Sequence, residues 1–427
     1  MRNRPLAAPL ALSLILCAGP AWAADEPTAD EPDATEPDAT DPPGVSAAEL
    51  QLLRDELELM KLRMEAMESM PSEAASPPAA SPNVFNPRIT GFIDMIGAVG
   101  LAAGGVHPYF DVRAFELDFR ADIDPFAKAV VVLGFENPLL AALQAEAEGA
   151  PPATPEEIGE AWLSVVEEAN ITFVALPAHL LLELGVVRMD FGGLNRMHLH
   201  DVPHPNYPGA LTALLGEEGW ADAGAFLRYR LHNPRSLPID LKVGVMARGP
   251  EPLMEGRQTP TPVLMGRLSA SADFGSGSLL SGGASYAGWR DATADPRGFH
   301  LASADFLLKV RPPRRGQYTS LFVQGEAYFA NRLGAEGRNT LAGFVGVGVQ
   351  PARSVFLSLR ADALVDDLSA PSVAWGGGFA ASMYTTEFLR LRLSYDVLAQ
   401  QTVSHRFGLQ VTAVFGSHPV EPYWVNR

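Results

Sequence analysis

Three histidines fall within seven residues, His198, His200 and His204, with Asp201 among them. On an extended chain, side chains two residues apart point to the same side. His198 and His200 therefore share a face, and Asp201 and His204 are near enough to join them. Neutral imidazole plus carboxylate suits zinc or a similar divalent ion. Glu217 and Glu218 could add an oxygen ligand if the segment 192–218 folds back. The competing reading is a polar loop whose histidines and prolines pack it against a wall. The spacing matches no HExxH-type helix motif.

A second chemical pattern is full charge at every other position. Glu116, Asp118 and Arg120 alternate with Phe115, Leu117 and Phe119, and Arg390 and Arg392 alternate with Leu389, Leu391 and Leu393. Arg360 and Arg406 stand the same way in 355–365 and 403–416. If these side chains face a water-filled interior, acidic and basic walls oppose one another and bias which solutes pass. If they pair among themselves, they only hydrate it.

The elements that must carry these residues are strands. From residue 86 to 416 the hydrophobic pattern has period two, in segments of about ten residues or more, the length of a tilted membrane strand. Sixteen such segments can be counted. Short turns follow the even ones, and the longer loops, including 139–161, 192–218 and 250–262, follow odd ones. Alternation, charge on one face, an even count and this asymmetry of connections predict an all-β fold, a transmembrane antiparallel barrel of about 16 strands. Tyr109, Trp162, Trp220, Tyr286, Trp289, Tyr318, Trp375 and Tyr384 are expected in its interfacial aromatic girdles.

Before the barrel, residues 1–23 read as a secretory signal: Arg2 and Arg4, an apolar run, then Ala21-Trp22-Ala23. Residues 24–45 form an acidic linker with the pentapeptide EPDAT in tandem, a composition that cannot build a core. In 46–70, Leu50, Leu53, Leu57, Met60, Met64 and Met67 alternate three and four apart, as in a short α-helical coiled coil. Its alternative is a lone amphipathic helix on the barrel mouth. A Pro/Ser/Ala-rich spacer fills 71–85, and 417–427 is a C-terminal extension. The sole cysteine, Cys17, lies in the leader, which removes thiol chemistry from the mature chain. A net charge of −18 argues against a nucleic-acid partner. The pattern contains no nucleophile elbow or triad more specific than chance, so no enzyme is expected.

The run FGGLNRMHLHDVP, the preceding ELGVVRMDFG and the later GEEG resemble a group of porin-like outer-membrane proteins, some labelled zinc-regulated outer-membrane receptors. The coiled coil ahead of the barrel is similar to the arrangement of phosphate-selective porins, which are sixteen-stranded trimers. The resemblance implies an outer-membrane location, lipid around the barrel, and a homotrimer through the coiled coil. The leading functional expectation is diffusion of small hydrophilic solutes or ions, with the N-terminal segment in the periplasm. A metal-binding receptor using His198, His200, Asp201 and His204, with zinc as the ion, is a second. A structural outer-membrane tether is a third.

Overall fold

A computed structural model describes residues 87–416, except 103–104, 137–162, 232–236, 255–261, 275–276, 291–296, 312–317, 334–336 and 401. The expected signal, linker, coiled coil, spacer and C-terminal extension lie outside the described residues. So does Trp162.

The strands are β1 (Arg88–Ala102), β2 (Gly105–Asp124), β3 (Ala127–Glu136), β4 (Leu163–Phe173), β5 (Leu180–Arg188), β6 (Ala221–Leu231), β7 (Ile239–Met246) and β8 (Val263–Phe274). They continue as β9 (Ser278–Arg290), β10 (Gly298–Val310), β11 (Ser320–Leu333), β12 (Asn339–Ala352), β13 (Val355–Val365), β14 (Val373–Thr386), β15 (Leu389–Ala399) and β16 (Val403–Gly416). Each pairs with its chain neighbours, and β1 pairs antiparallel with β16 from Thr90↔Gly416 to Leu101↔His405, closing the barrel. Closure leaves no unpaired edge, the condition for a sheet to stand in lipid. The first strand starts and the last ends at the same rim, the one with the short turns. The three longest connections, 137–162, 189–220 and 247–262, all leave the other rim.

Period two sets what faces where. On β15, Leu393 is exposed outward at 60%, while Arg390 and Arg392 point inward and are buried. The outer surface is a belt of such residues, among them Leu264, Leu359, Phe407 and Leu409.

Two β-bulges break the period where the site lies. Asp94 pairs with Ala114 but Met95 with Val112, so Arg113 is an extra residue on β2. Val132 pairs with Glu168 but Leu133 with Val166, so Glu167 is extra on β4. A bulge re-aims its side chain and flips the strand's parity beyond it. Tyr109 consequently faces in, while Phe110 faces out.

The interior is not uniformly polar. Towards the long-loop rim, Met246, Val263, Met265, Phe299, Leu301, Tyr328 and Phe344 of the wall are buried in one apolar cluster with Leu211, Leu214 and Leu215 of a short helix, α1 (Gly209–Leu215). Inward burial corrects part of the girdle expectation. Tyr286, Tyr318 and Trp375 are exposed, but Tyr109, Trp220 and Tyr384 are buried, and Trp289 packs against the internal core.

Candidate functional site

The connection between β5 and β6, residues 189–220, folds into the lumen instead of standing over it. Its neck is closed by one side chain. Asn195, fully buried, donates to the Met189 and Trp220 carbonyls (2.8 and 3.0 Å) and accepts from the Trp220 amide (2.7 Å). Arg188 adds a bond to the Glu218 carbonyl (2.7 Å). Gly192, at φ +71, makes the turn inward, a conformation that side-chain-bearing residues resist. The next two amides, of Gly193 and Leu194, both donate to Glu326 Oε1 on β11 (2.9 and 2.5 Å).

Further on, side chains of β13, β15 and β2 hold the chain by its carbonyls. Arg392 Nη2 donates to Val202 O (2.7 Å) and Arg360 Nη1 to Asn206 O (2.7 Å). The Ser358 hydroxyl donates to Pro203 O (3.5 Å), and Arg113 donates to Pro205 O. Behind these, Asp94 of β1 accepts from Arg113 Nε (2.6 Å), Gln410 (2.8 and 3.0 Å) and Thr412 (2.8 Å). Gln410 in turn accepts from Arg392 (2.9 Å).

The histidines divide between two environments. His198 lies between Glu167 and Glu168: Nδ1 is 2.9 Å from Glu167 Oε2 and 3.8 Å from Glu116 Oε2, and Nε2 is 3.0 Å from Glu168 Oε1. His200 stacks on Phe92 at 4.1 Å and on His198 at 5.5 Å, with Nδ1 3.1 Å from Glu116 Oε1 and Nε2 3.6 Å from Asp201. His204 is set against the arginine wall, beside Arg360 and Arg392. Sequence spacing grouped all three; the structure groups the first two with carboxylates from β2 and β4. The ladder between β4 and β5 ends at Ala169↔Val186. Beyond it, Arg188 bridges to Glu167 at 3.0 Å, and His198 sits over that bridge.

The acid–base balance follows. Burial, and then Arg188, would lower His198, but Glu167, Glu168 and Glu116 outweigh them and raise it to about 10. Burial lowers His200, and Glu116 and Asp201 overcome it to give a net rise. His204 has no such compensation: burial, Arg360 and Arg392 all push it well below the usual range. Burial raises the Tyr207 phenol, which keeps the proton it donates to Met197 O (2.5 Å).

All the charged positions expected to line the pore face inward, with differing surroundings. Glu116 meets the histidines, and Asp118 pairs with Arg120 at 2.8 Å, the latter half exposed. Arg360 pairs with Asp362 (3.2 Å) and Asp396 (3.4 Å), and Arg406 faces Asp396 at 3.6 Å. Arg390 and Arg392 are sealed by neighbouring side chains, at 1% and 0% exposure. The residues not singled out in the sequence are Asp94, Arg113, Glu167, Glu168, Asn195 and Glu326. Glu326 and Asp94 sit at inward positions that the alternation could have flagged. The bulges hid Arg113 and Glu167.

On the other side of the segment a cavity of about 370 Å³ remains open, walled by β6–β11. Its lining carries both signs: Arg196 from the segment, Arg228 paired with Asp190 (2.6 Å), Lys242 with Glu183 (2.8 Å), and Arg267 bidentate to Asp305 (2.7 and 3.0 Å).

No protein-family model and no curated protein sequence matches the chain. Solved structures do match the barrel. The outer-membrane channel DcaP of Acinetobacter baumannii is 12% identical, over 77% of this chain and 97% of that one, with a TM-score of 0.53. An anion-selective porin from Comamonas acidovorans is also 12% identical, over 77% and 99%, with a TM-score of 0.50. What is shared at such identity is the fold, which in this chain is a closed barrel of sixteen antiparallel strands.

Two outcomes are expected. Asn195→Ala takes the side-chain partner from the buried Met189 carbonyl and Trp220 amide, while the Trp220 carbonyl keeps the Met189 amide, a cost of about 3 kcal/mol. Cleavage within 190–220 in limited proteolysis should then accelerate about a hundredfold, as the opening equilibrium shifts. The second concerns pH. His204 stays neutral when seated against Arg360 and Arg392, with Asp396 the nearby acid, whereas a released histidine binds a proton below about pH 6.5. Seating therefore weakens as pH falls below 6.5, by at most about 1.4 kcal/mol per pH unit. The contributions of His198 and His200, whose values are raised, are already complete there. Cleavage should rise up to about tenfold between pH 6.5 and 5.5, relative to an unfolded control, and His204→Gln should flatten that rise.

Proposed function

We propose that this chain is a porin-like channel of a bacterial outer membrane, passing small hydrophilic solutes or ions through a lumen narrowed by the segment 189–220. The observation that carries the reading is the cavity between the segment and β6–β11 inside a closed, outwardly apolar barrel. A lumen lined by paired charges of both signs hydrates solutes without trapping one class strongly. The short-turn rim is assigned to the periplasm, the usual layout of such barrels. Residues 46–70 would then stand in the periplasm, where a coiled coil would gather copies into a homotrimer.

One observation favours a second reading. The apolar core around α1 fills part of the long-loop half, as a sealed barrel serving as a structural tether would require. Conductance of the refolded protein in planar bilayers separates the two. The channel reading expects small, stable steps that grow when 209–215 is replaced by a short Gly/Ser linker. No steps in either form would leave the sealed barrel. Arg196 is exposed and borders the cavity. Arg196→Glu should therefore shift the reversal potential towards cation preference, and an unchanged potential would put the ion path elsewhere.

A further inference from the structure

The geometry points to a divalent-cation site in the lumen wall, with His198 Nδ1, Glu116 and Glu167 as ligands and Glu168 holding the histidine from behind. One donor atom from each of His198, Glu116 and Glu167 lies within 4.8 Å of the others. Ligands at about 2.1 Å from a tetrahedral ion stand about 3.4 Å apart. The distances from Nδ1 to Glu167 and Glu116, 2.9 and 3.8 Å, bracket that value, so small side-chain shifts suffice.

Three further features distinguish this group from a mere cluster of acids. Glu168 lies 3.0 Å from Nε2 of His198. With Nε2–H donating to it, the Nδ1 lone pair is directed at the other two carboxylates, the carboxylate–histidine–metal arrangement of zinc proteins. The remaining ligands are steadied in the same way, Glu167 by Arg188 at 3.0 Å and Glu116 by His200 at 3.1 Å. Finally, three carboxylates contact His198 while one guanidinium, Arg188, bridges to Glu167. A divalent ion that takes the place of the proton held between His198 and these carboxylates replaces one positive charge by two.

Imidazole nitrogen with carboxylate oxygen selects a borderline ion such as zinc over magnesium or calcium, which favour all-oxygen shells. The ligands come from β2, β4 and the segment, so an ion bound there would tie the segment to the wall beside the end of the β4–β5 ladder. The site is independent of conduction. A barrel that never conducts would still show it, and a conducting barrel without it would not bind zinc.

The test is equilibrium dialysis of the full chain in detergent against zinc chloride, with folding of each variant followed by its heat-modifiable migration. One zinc per chain is expected, undisplaced by a large excess of magnesium. Binding should weaken at least tenfold in His198→Gln and in Glu167→Gln, and about tenfold in Glu168→Gln, where only the orienting group changes. His204→Ala should leave it unchanged. The proposal is overturned by a wild-type chain with no saturable zinc, by displacement with magnesium, or by binding that survives His198→Gln. If His198→Gln does not fold, the wild-type stoichiometry and Glu168→Gln decide the matter.

Discussion

A stretch of irregular chain placed inside a barrel must find partners for its backbone, because a buried carbonyl or amide without one costs as much as a lost hydrogen bond. The wall of this lumen is built around that constraint. From the Val202 carbonyl a continuous path runs through Arg392, Gln410, Asp94 and Arg113 to the Pro205 carbonyl. Across the lumen, Glu326 takes the Gly193 and Leu194 amides. Inward charges that would otherwise line a water-filled pore are thus engaged in seating the segment. The open space is displaced to the β6–β11 side, where charges pair along the wall and leave a cavity.

The barrel was legible because period two is a local property of each strand, and lipid outside against water or charge inside gives it strong contrast. The strand at 403–416 has the bounds of the alternating segment read from the sequence. The internal core was not legible, for the same reason. At Val263-Leu264-Met265, Met265 and Val263 face the core and Leu264 faces outward, so both faces are apolar and the contrast vanishes. The sequence allowed the histidine-rich loop to narrow the lumen, but not its partners on the wall: Glu116, Arg113, Glu326, Arg360 and Arg392 lie 84 to 190 residues from the positions they hold.

The candidate site was half legible. His198 and His200 were singled out by type and spacing, but their carboxylate partners were not. Glu167 and Glu168 are adjacent, and strict alternation would send one of them to lipid. The bulge at Glu167 brings both to His198. The bulge at Arg113 does the same for the guanidinium that meets Asp94 and Pro205. In both strands one inserted residue converts a regular wall into a docking surface for the segment, a geometric device that single-strand patterning cannot reveal.

The claim on which the rest depends is that 193–206 is part of the folded interior. Hydrogen–deuterium exchange of the full chain in lipid measures this directly. Amides of 193–206 should exchange at rates comparable to those of the neighbouring strands, because they are enclosed and tied to the wall. Exchange at the rates of an exposed loop would contradict the account.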